Sequence, residues 1–208
     1  MTAHKSDYTD IIRLPEPNCD GEISIENAIL NRRSIRDYLN EPLTLTDVSQ
    51  LLWAAQGITE SGGYRAAPSG GALYPLEVYL VAGNVMNLLK GIYRYRPLGH
   101  EMIKVADGDM RNELASAALE QGCVRRGAVS IVISAVYERM TRKYGQRGLQ
   151  YVHMEVGHVA QNIYLQAISL NLGTVVVGAF YDDEVKAVLK MPEEEHPLCI
   201  MPVGRIKK

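Results

Sequence analysis

Two short stretches carry the side chains best suited to chemistry: Asn31-Arg32-Arg33-Ser34-Ile35-Arg36 near the start and Pro202-Val203-Gly204-Arg205 near the end. Guanidinium groups and a hydroxyl packed so closely make a dense set of charge-assisted donors, with fork geometry that matches phosphate oxygens. A phosphate-bearing ligand is one reading. The other is a solvated basic segment at a helix end, where the dipole also favours arginine. Between the two stretches lies Ala66-Ala67-Pro68-Ser69-Gly70-Gly71-Ala72-Leu73-Tyr74-Pro75, framed by prolines and filled with residues of little side-chain volume. Such a backbone approaches a flat ring closely and holds few conformations. A tight connection into a following strand has the same composition. The stretch is neither a phosphate loop nor a dinucleotide fingerprint, because Gly70-Gly71 is followed by no Gly-Lys and no third glycine at the required spacing.

Taken in this order, the motifs resemble the nitroreductase-like family of oxidoreductases that depend on flavin mononucleotide (FMN). That family opens its cofactor site with Arg-x-Ser-x-Arg or Lys, here Arg32, Ser34 and Arg36 with Arg33 between them. Its middle loop begins Pro-Ser and closes on a proline, as Pro68-Ser69 and Pro75 do. A long helix containing Glu155-Val156-Gly157-His158 leads to Leu172-Gly173-Thr174, then Val177-Gly178-Ala179-Phe180, and finally the Pro-x-Gly-x ending at Pro202 to Arg205. The resemblance covers residues 24 to 206. Ala72 stands where many members place an asparagine beside the flavin, and Gly178-Ala179 where several carry Glu-Gly. The middle loop is similar to that of the branch containing the SagB-type peptide-azoline dehydrogenases.

The resemblance implies an α+β fold, a mixed β-sheet wrapped by helices, in an intertwined homodimer with one FMN at each subunit interface. One chain would supply the Arg-x-Ser-x-Arg segment and the C-terminal basic residues, and the other chain the Pro-Ser loop. Arg32, Arg36 and Arg205 are then assigned to the phosphate with Lys207 as a further candidate, Ser34 to polar atoms of the flavin or ribityl chain, and Arg33 to the ring. Pro68, Ser69, Gly70 and Leu73 would line the ring, and Val177, Gly178 and Ala179 would pass near its N5 edge or opposite face. The implied activity is transfer of hydride from NADH or NADPH to the flavin and then to a small nitro, quinone or unsaturated acceptor, in ping-pong order. The alternatives are a SagB-like dehydrogenase of a peptide or heterocycle and a non-catalytic flavin-binding protein.

Catalytic side chains are not assigned, because in such proteins the cofactor carries the chemistry. Ser130 and Ser134 lie in an apolar run with no Gly-x-Ser-x-Gly elbow. His153 and His158 are five apart and form no His-x-x-x-His pair, so no metal site is expected. Glu155 reads as a helix carboxylate that is paired or solvated, with contact to the site through the neighbouring Gly157 as the alternative. The basic run Arg139 to Arg147 reads as a solvated loop or a lid over an anionic substrate.

Composition bounds these readings. The chain has 208 residues, 47% of them hydrophobic, enough for one core. With 22 basic and 24 acidic residues the net charge of −2 offers no field for nucleic acid. Cys19, Cys123 and Cys199 are odd in number and lack ligand spacing, which points to the reducing cytoplasm. No apolar run reaches the roughly 18 residues of a membrane span, and Met1 to Ser6 is too polar for a signal peptide.

The elements that must position the motifs follow from periodicity. Residues 1–23 are polar and proline-bearing and read as an arm, with one domain over 24–208. Ser24 caps a helix with Ile25, Ala28 and Ile29 on one face, and Thr44 or Thr46 caps another that ends at Gly57. Leu76 to Ala82 reads as a strand, residues 92–105 as a hairpin and Ala128 to Val136 as a central strand. Residues 149–170 form a helix apolar on many sides, hence buried in a core or against a partner. Strands at 174–177 and 198–203, with a short helix at 182–189 between them, complete the pattern.

Overall fold

The structure is a computed structural model and describes residues 11–207. In chain order the elements are β1 (Ile11–Arg13), α1 (Ile25–Asn31), α2 (Leu45–Gln56), β2 (Leu76–Ala82), β3 (Gly91–Arg96), β4 (Glu101–Asp107), α3 (Arg111–Ala117), α4 (Gly122–Arg126), β5 (Val129–Ala135), α5 (Glu138–Tyr144), α6 (Arg147–Ser169), β6 (Leu172–Thr174), α7 (Asp182–Leu189) and β7 (His196–Arg205). The strands form one sheet in the order β1-β4-β3-β2-β5-β7-β6, and every strand pair in it is antiparallel. Among the described residues, parallel pairing enters only at the isolated bridges Ser34–Thr174 and Leu43–Val85.

Strand alternation divides the core in two, since successive side chains point to opposite faces. Leu76, Val78 and Leu80 of β2 pack with α2, α5 and α6, while Tyr79 and Val81 pack with α3, α4 and α7. β5 lies between β2 and β7 and is buried along its whole length, as its β-branched run predicts. The result is a three-layer α+β architecture with the sheet in the middle.

Local signals set the helix ends. The Asn27 N–H donates to Ser24 Oγ at 3.2 Å and starts α1. Thr44, not Thr46, starts α2 through a capping box. The Asp47 N–H donates to Thr44 Oγ1 at 3.1 Å, and the Thr44 N–H donates to Asp47 Oδ2 at 2.8 Å. α2 stops at Gly57, where a Cβ would sit 2.2 Å from the Trp53 ring.

Four sequence expectations meet a different outcome. Residues 11–13, read as part of an arm, pair with β4, and Leu14 enters the core; residues 1–10 of that arm lie outside the described residues. The strand expected over 174–177 ends at Thr174, because the Val176 N–H turns to the Tyr164 hydroxyl at 2.9 Å instead of to the ladder. α6 is buried in this chain along one stripe, Val152, Glu155, Val159, Ile163 and Ala167, while Met154, Gly157, His158 and Gln161 are exposed. Ile25 and Ile29 of α1 are also exposed, and only Ala28 is buried.

Arg205 closes the end of the sheet onto α2. Its Nη2 meets Asp47 Oδ2 at 2.5 Å with both side chains largely shielded, at 25% and 12% exposure. Asp47→Ala therefore removes a cap and strands a shielded arginine. The expected loss is about 2–4 kcal/mol of unfolding free energy in urea titration, the sum of a cap and a charge-assisted bond. Glu138→Ala, which breaks the exposed pair with Arg142, is expected to change stability by less than about 0.5 kcal/mol.

Candidate functional site

The arginine motif lies where α1 hands the chain to the sheet. Arg32 is the C-cap of α1, and Ser34 makes the parallel bridge to Thr174 of β6. Tyr164 of α6 gathers this corner. Its ring lies 5.0 Å from the Arg32 guanidinium, its hydroxyl is 3.1 Å from Ser34 Oγ, and the same hydroxyl accepts the Val176 N–H. Arg32, Ser34 and Val176 therefore meet at Tyr164. Gly178 and Ala179 are exposed, and a Cβ on Gly178 would meet nothing within 4 Å, whereas Val177 is buried and exchanges backbone bonds with Ile200. Among the described residues neither Arg32 nor Arg36 has a carboxylate within ion-pair distance.

Two other basic candidates are committed elsewhere. Arg33 folds back so that Nη1 donates to the carbonyls of Leu30 at 3.0 Å and Arg32 at 2.8 Å, closing the end of α1. Arg205 has its charge offset by Asp47, and its Nη1 also donates to the Leu170 carbonyl. Lys207 is exposed beside Arg205 in a groove of about 610 Å³.

The proline-framed loop sits elsewhere on α6. The Ser69 hydroxyl accepts the Tyr74 N–H at 2.9 Å, the Pro68 carbonyl faces His158, Gly70 rests near Met140 and Tyr151, and Leu73 packs on the core. Gly71 has φ +63, and a Cβ there would fall 2.5 Å from the Tyr144 hydroxyl and 3.0 Å from Lys143 Nζ. The basic run expected to be a solvated loop or lid is corrected: residues 139–144 of it are helical in α5, and Lys143 and Tyr144 lie against the proline-framed loop. Beneath the loop is Glu155, 1% exposed, with neither carboxylate oxygen in a hydrogen bond, so the expectation of a paired or solvated carboxylate is corrected. Burial raises its pKa. Ser69 and Gln56 stand close enough to pull it back as hydrogen-bond donors without reaching bonding geometry, and Arg65 and His158 add a weaker downward pull.

The candidate residues thus fall into two groups within one chain. Glu155, under the loop, and Tyr164, at the arginine corner, are nine residues apart; this is about 2.5 turns, so they point to opposite sides of α6. Reasoning from the sequence missed Tyr164, Gln56 and Arg65. A hydroxyl or amide at a core-facing helical position was the available signal for Tyr164 and Gln56.

A sequence profile of the nitroreductase family matches residues 29–205, and the chain belongs to that family. It is 47% identical over 196 residues to a protein of Methanocaldococcus jannaschii described as a nitroreductase, covering 94% of this chain and 98% of that one. It is 28% identical over 171 residues to the microcin B17-processing protein McbC of Escherichia coli, covering 79% of this chain and 63% of McbC. A nitroreductase crystal structure from Ralstonia eutropha superposes with TM-score 0.82 at 28% identity, over 95% of this chain and 90% of that one. An NADPH:FMN oxidoreductase of Vibrio harveyi shares the fold, with TM-score 0.65 at 23% identity over 88% and 69% of the two chains.

The two glycine positions separate strain from space. Gly71→Ala forces an L side chain into the left-handed region and displaces Tyr144, with an expected loss of about 1–2 kcal/mol by denaturant titration. Gly178→Ala is expected to stay within about 0.5 kcal/mol of the parent.

Proposed function

We propose that this protein is an FMN-dependent oxidoreductase that takes hydride from NADH or NADPH and passes electrons to a small nitro, quinone or unsaturated acceptor in two separate half-reactions. The observation that carries this reading is the corner at Tyr164, where Arg32 without a carboxylate partner, Ser34 and the Val176 N–H meet, two residues before the open backbone at Gly178. That donor set fits a phosphate joined to a planar ring: Arg32 and Arg36 would hold the phosphate, Ser34 would orient the polar chain beside it, and residues 178–179 would leave room for a flat partner. Lys207 would add charge from the neighbouring groove, and Arg205 would contribute mainly by holding the end of β7 in place. When bound, the flavin supplies hydride acceptance and donation. The chain's own work is to bind, align and exclude water, with proximity as the main source of acceleration.

The loop residues Pro68, Ser69, Gly70 and Leu73 would complete the site from a second subunit. Their place on the opposite side of α6 supports this reading. So do exposed apolar side chains on α1 and α6: Ile25 at 54%, Leu30 at 70% and Met154 at 53% exposure. We take the protein to be a homodimer of the cytoplasm. No helix among the described residues is long and apolar enough to cross a membrane.

A second reading, oxidation of a peptide or heterocycle, is favoured by the similarity to McbC and by Lys143 and Tyr144 above Gly71, an ammonium and a hydroxyl able to move a proton at a substrate. Anaerobic mixing separates the readings. Bleaching of bound flavin by NADH or NADPH supports the first, bleaching by a peptide azoline supports the second, and bleaching by none of them leaves a non-catalytic flavin binder.

Mass spectrometry of the released cofactor is expected to find FMN at about one per chain; FAD, or no flavin after reconstitution, would refute the proposal. Arg32→Ala is expected to weaken FMN binding by about 2–3 kcal/mol, the range of a charge-assisted bond, with Arg13→Ala as the control. Light scattering at micromolar concentration is expected to give the dimer mass. A stable flavin-loaded monomer would exclude the shared site.

A further inference from the structure

We propose that Glu155 is a positioning residue for the 68–75 loop: its neutral carboxyl donates to the Ser69 oxygen and leaves the Ser69 hydrogen for a ligand, whereas its carboxylate takes that hydrogen back. Glu155 is almost wholly buried with both oxygens unpartnered, and the buried Nε2 of Gln56 is unpartnered as well. Two such orphans facing one another are uncommon in a folded interior and mark a place where a proton or a small shift completes a network.

The polarity of that network is set from outside. Gln56 Oε1 accepts from Arg65 Nη1 at 2.8 Å, which turns the amide nitrogen toward the carboxyl. Ser69 Oγ already accepts the Tyr74 N–H, so it retains one lone pair and one hydrogen. A neutral Glu155 fills the lone pair and frees the hydrogen. An ionised Glu155 claims the hydrogen.

The groups that act on Glu155 come from three elements. Gln56 is at the end of α2, Arg65 and Ser69 lie in the connection that follows, and His158 is on the next turn of α6. Arg65 does not neutralise the carboxylate directly, because its guanidinium is bonded to Gln56 and stacked 4.3 Å from the Tyr74 ring centroid. Burial is the largest influence and favours the neutral form. The sign follows: with its folded pKa raised, the neutral group's contribution is present in acid and is lost as pH rises through that pKa. Ser69 then turns inward and the loop loses a donor toward its ligand.

The loop's conformation is a property of the chain itself, and only the ligand's identity as FMN rests on the function proposed above. The full chain without flavin, labelled with ¹⁵N, is titrated from pH 5 to 9 while the Ser69 and Tyr74 amides are followed by NMR, in the parent, E155Q and H158Q. The inference expects both amides to titrate together in the parent and in H158Q and to remain flat in E155Q, whose amide donates at every pH. FMN affinity, read by fluorescence quenching, is expected to fall about tenfold across the same range in the parent and to hold its acid value in E155Q. Identical titrations in E155Q and the parent would overturn the inference, as would a loss of the titration in H158Q. If FMN fails to bind at any pH, the cofactor assignment falls, and the amide titrations still decide the role of Glu155.

Discussion

Burial of one stripe of α6 against the sheet and α2 is the constraint on which the rest of the molecule depends. Val152, Val159, Ile163 and Ala167 enter the same core as Leu51, Leu52 and the inward residues of β2, β5 and β7. This leaves the helix one rotational setting. Tyr164 is thereby aimed at the arginine corner, and Glu155 is driven beneath the proline-framed loop. Asn162 of the same helix donates to the carbonyls of Ala54 and Ala66, which ties the end of α2 to the start of that loop. A rotation of α6 by one residue would break all three sets of contacts at once.

Charge is spent unevenly around this scaffold. Along the hairpin side, Arg94 meets Glu77 and the buried Glu195, Arg139 also meets Glu77, and Glu195 further accepts from Tyr79 and Ser134. Burial and the adjacent Glu195 hold the Tyr79 phenol far above its ordinary pKa, and each side chain of this network has a partner within it. Among the described residues the contrast is with Arg32 and Arg36, which have no carboxylate within ion-pair distance, and with Glu155, whose oxygens have no hydrogen-bond partner. Arginine charge without a carboxylate partner, together with a buried, unpartnered carboxyl, is the arrangement on which the proposed ligand site rests.

The chain's place in the nitroreductase family and the two-sided distribution of its candidate residues fit together. On the function proposed above, each side of α6 would carry half of a site, a second subunit's α6 would bring the missing half alongside, and the exposed Ile25, Ile29 and Leu30 of α1 would supply apolar area for such a contact. The chain is similar to McbC in sequence and to a nitroreductase of Ralstonia eutropha in fold.

Local chemistry was legible in the sequence. The cap at Ser24, the stop at Gly57, the hairpin about Pro97-Leu98-Gly99-His100 and the buried run of β5 all arise from interactions among residues close in the chain and are legible in spacing, whereas spacing leaves Thr44 and Thr46 as alternative caps and the structure selects Thr44. The order of the arginine motif, the Pro-Ser loop and the Pro-x-Gly-x ending was enough to resemble the family. What spacing could not show is which arginine keeps its charge. Arg205 meets Asp47 across 158 residues of chain, Arg33 turns back onto α1, and Arg32 is left against Tyr164. Nor could it show that Glu155 lies buried and unpartnered, since an isolated helix exposes every carboxylate to water. Those outcomes belong to tertiary structure because they depend on long-range packing and desolvation, which no local pattern encodes.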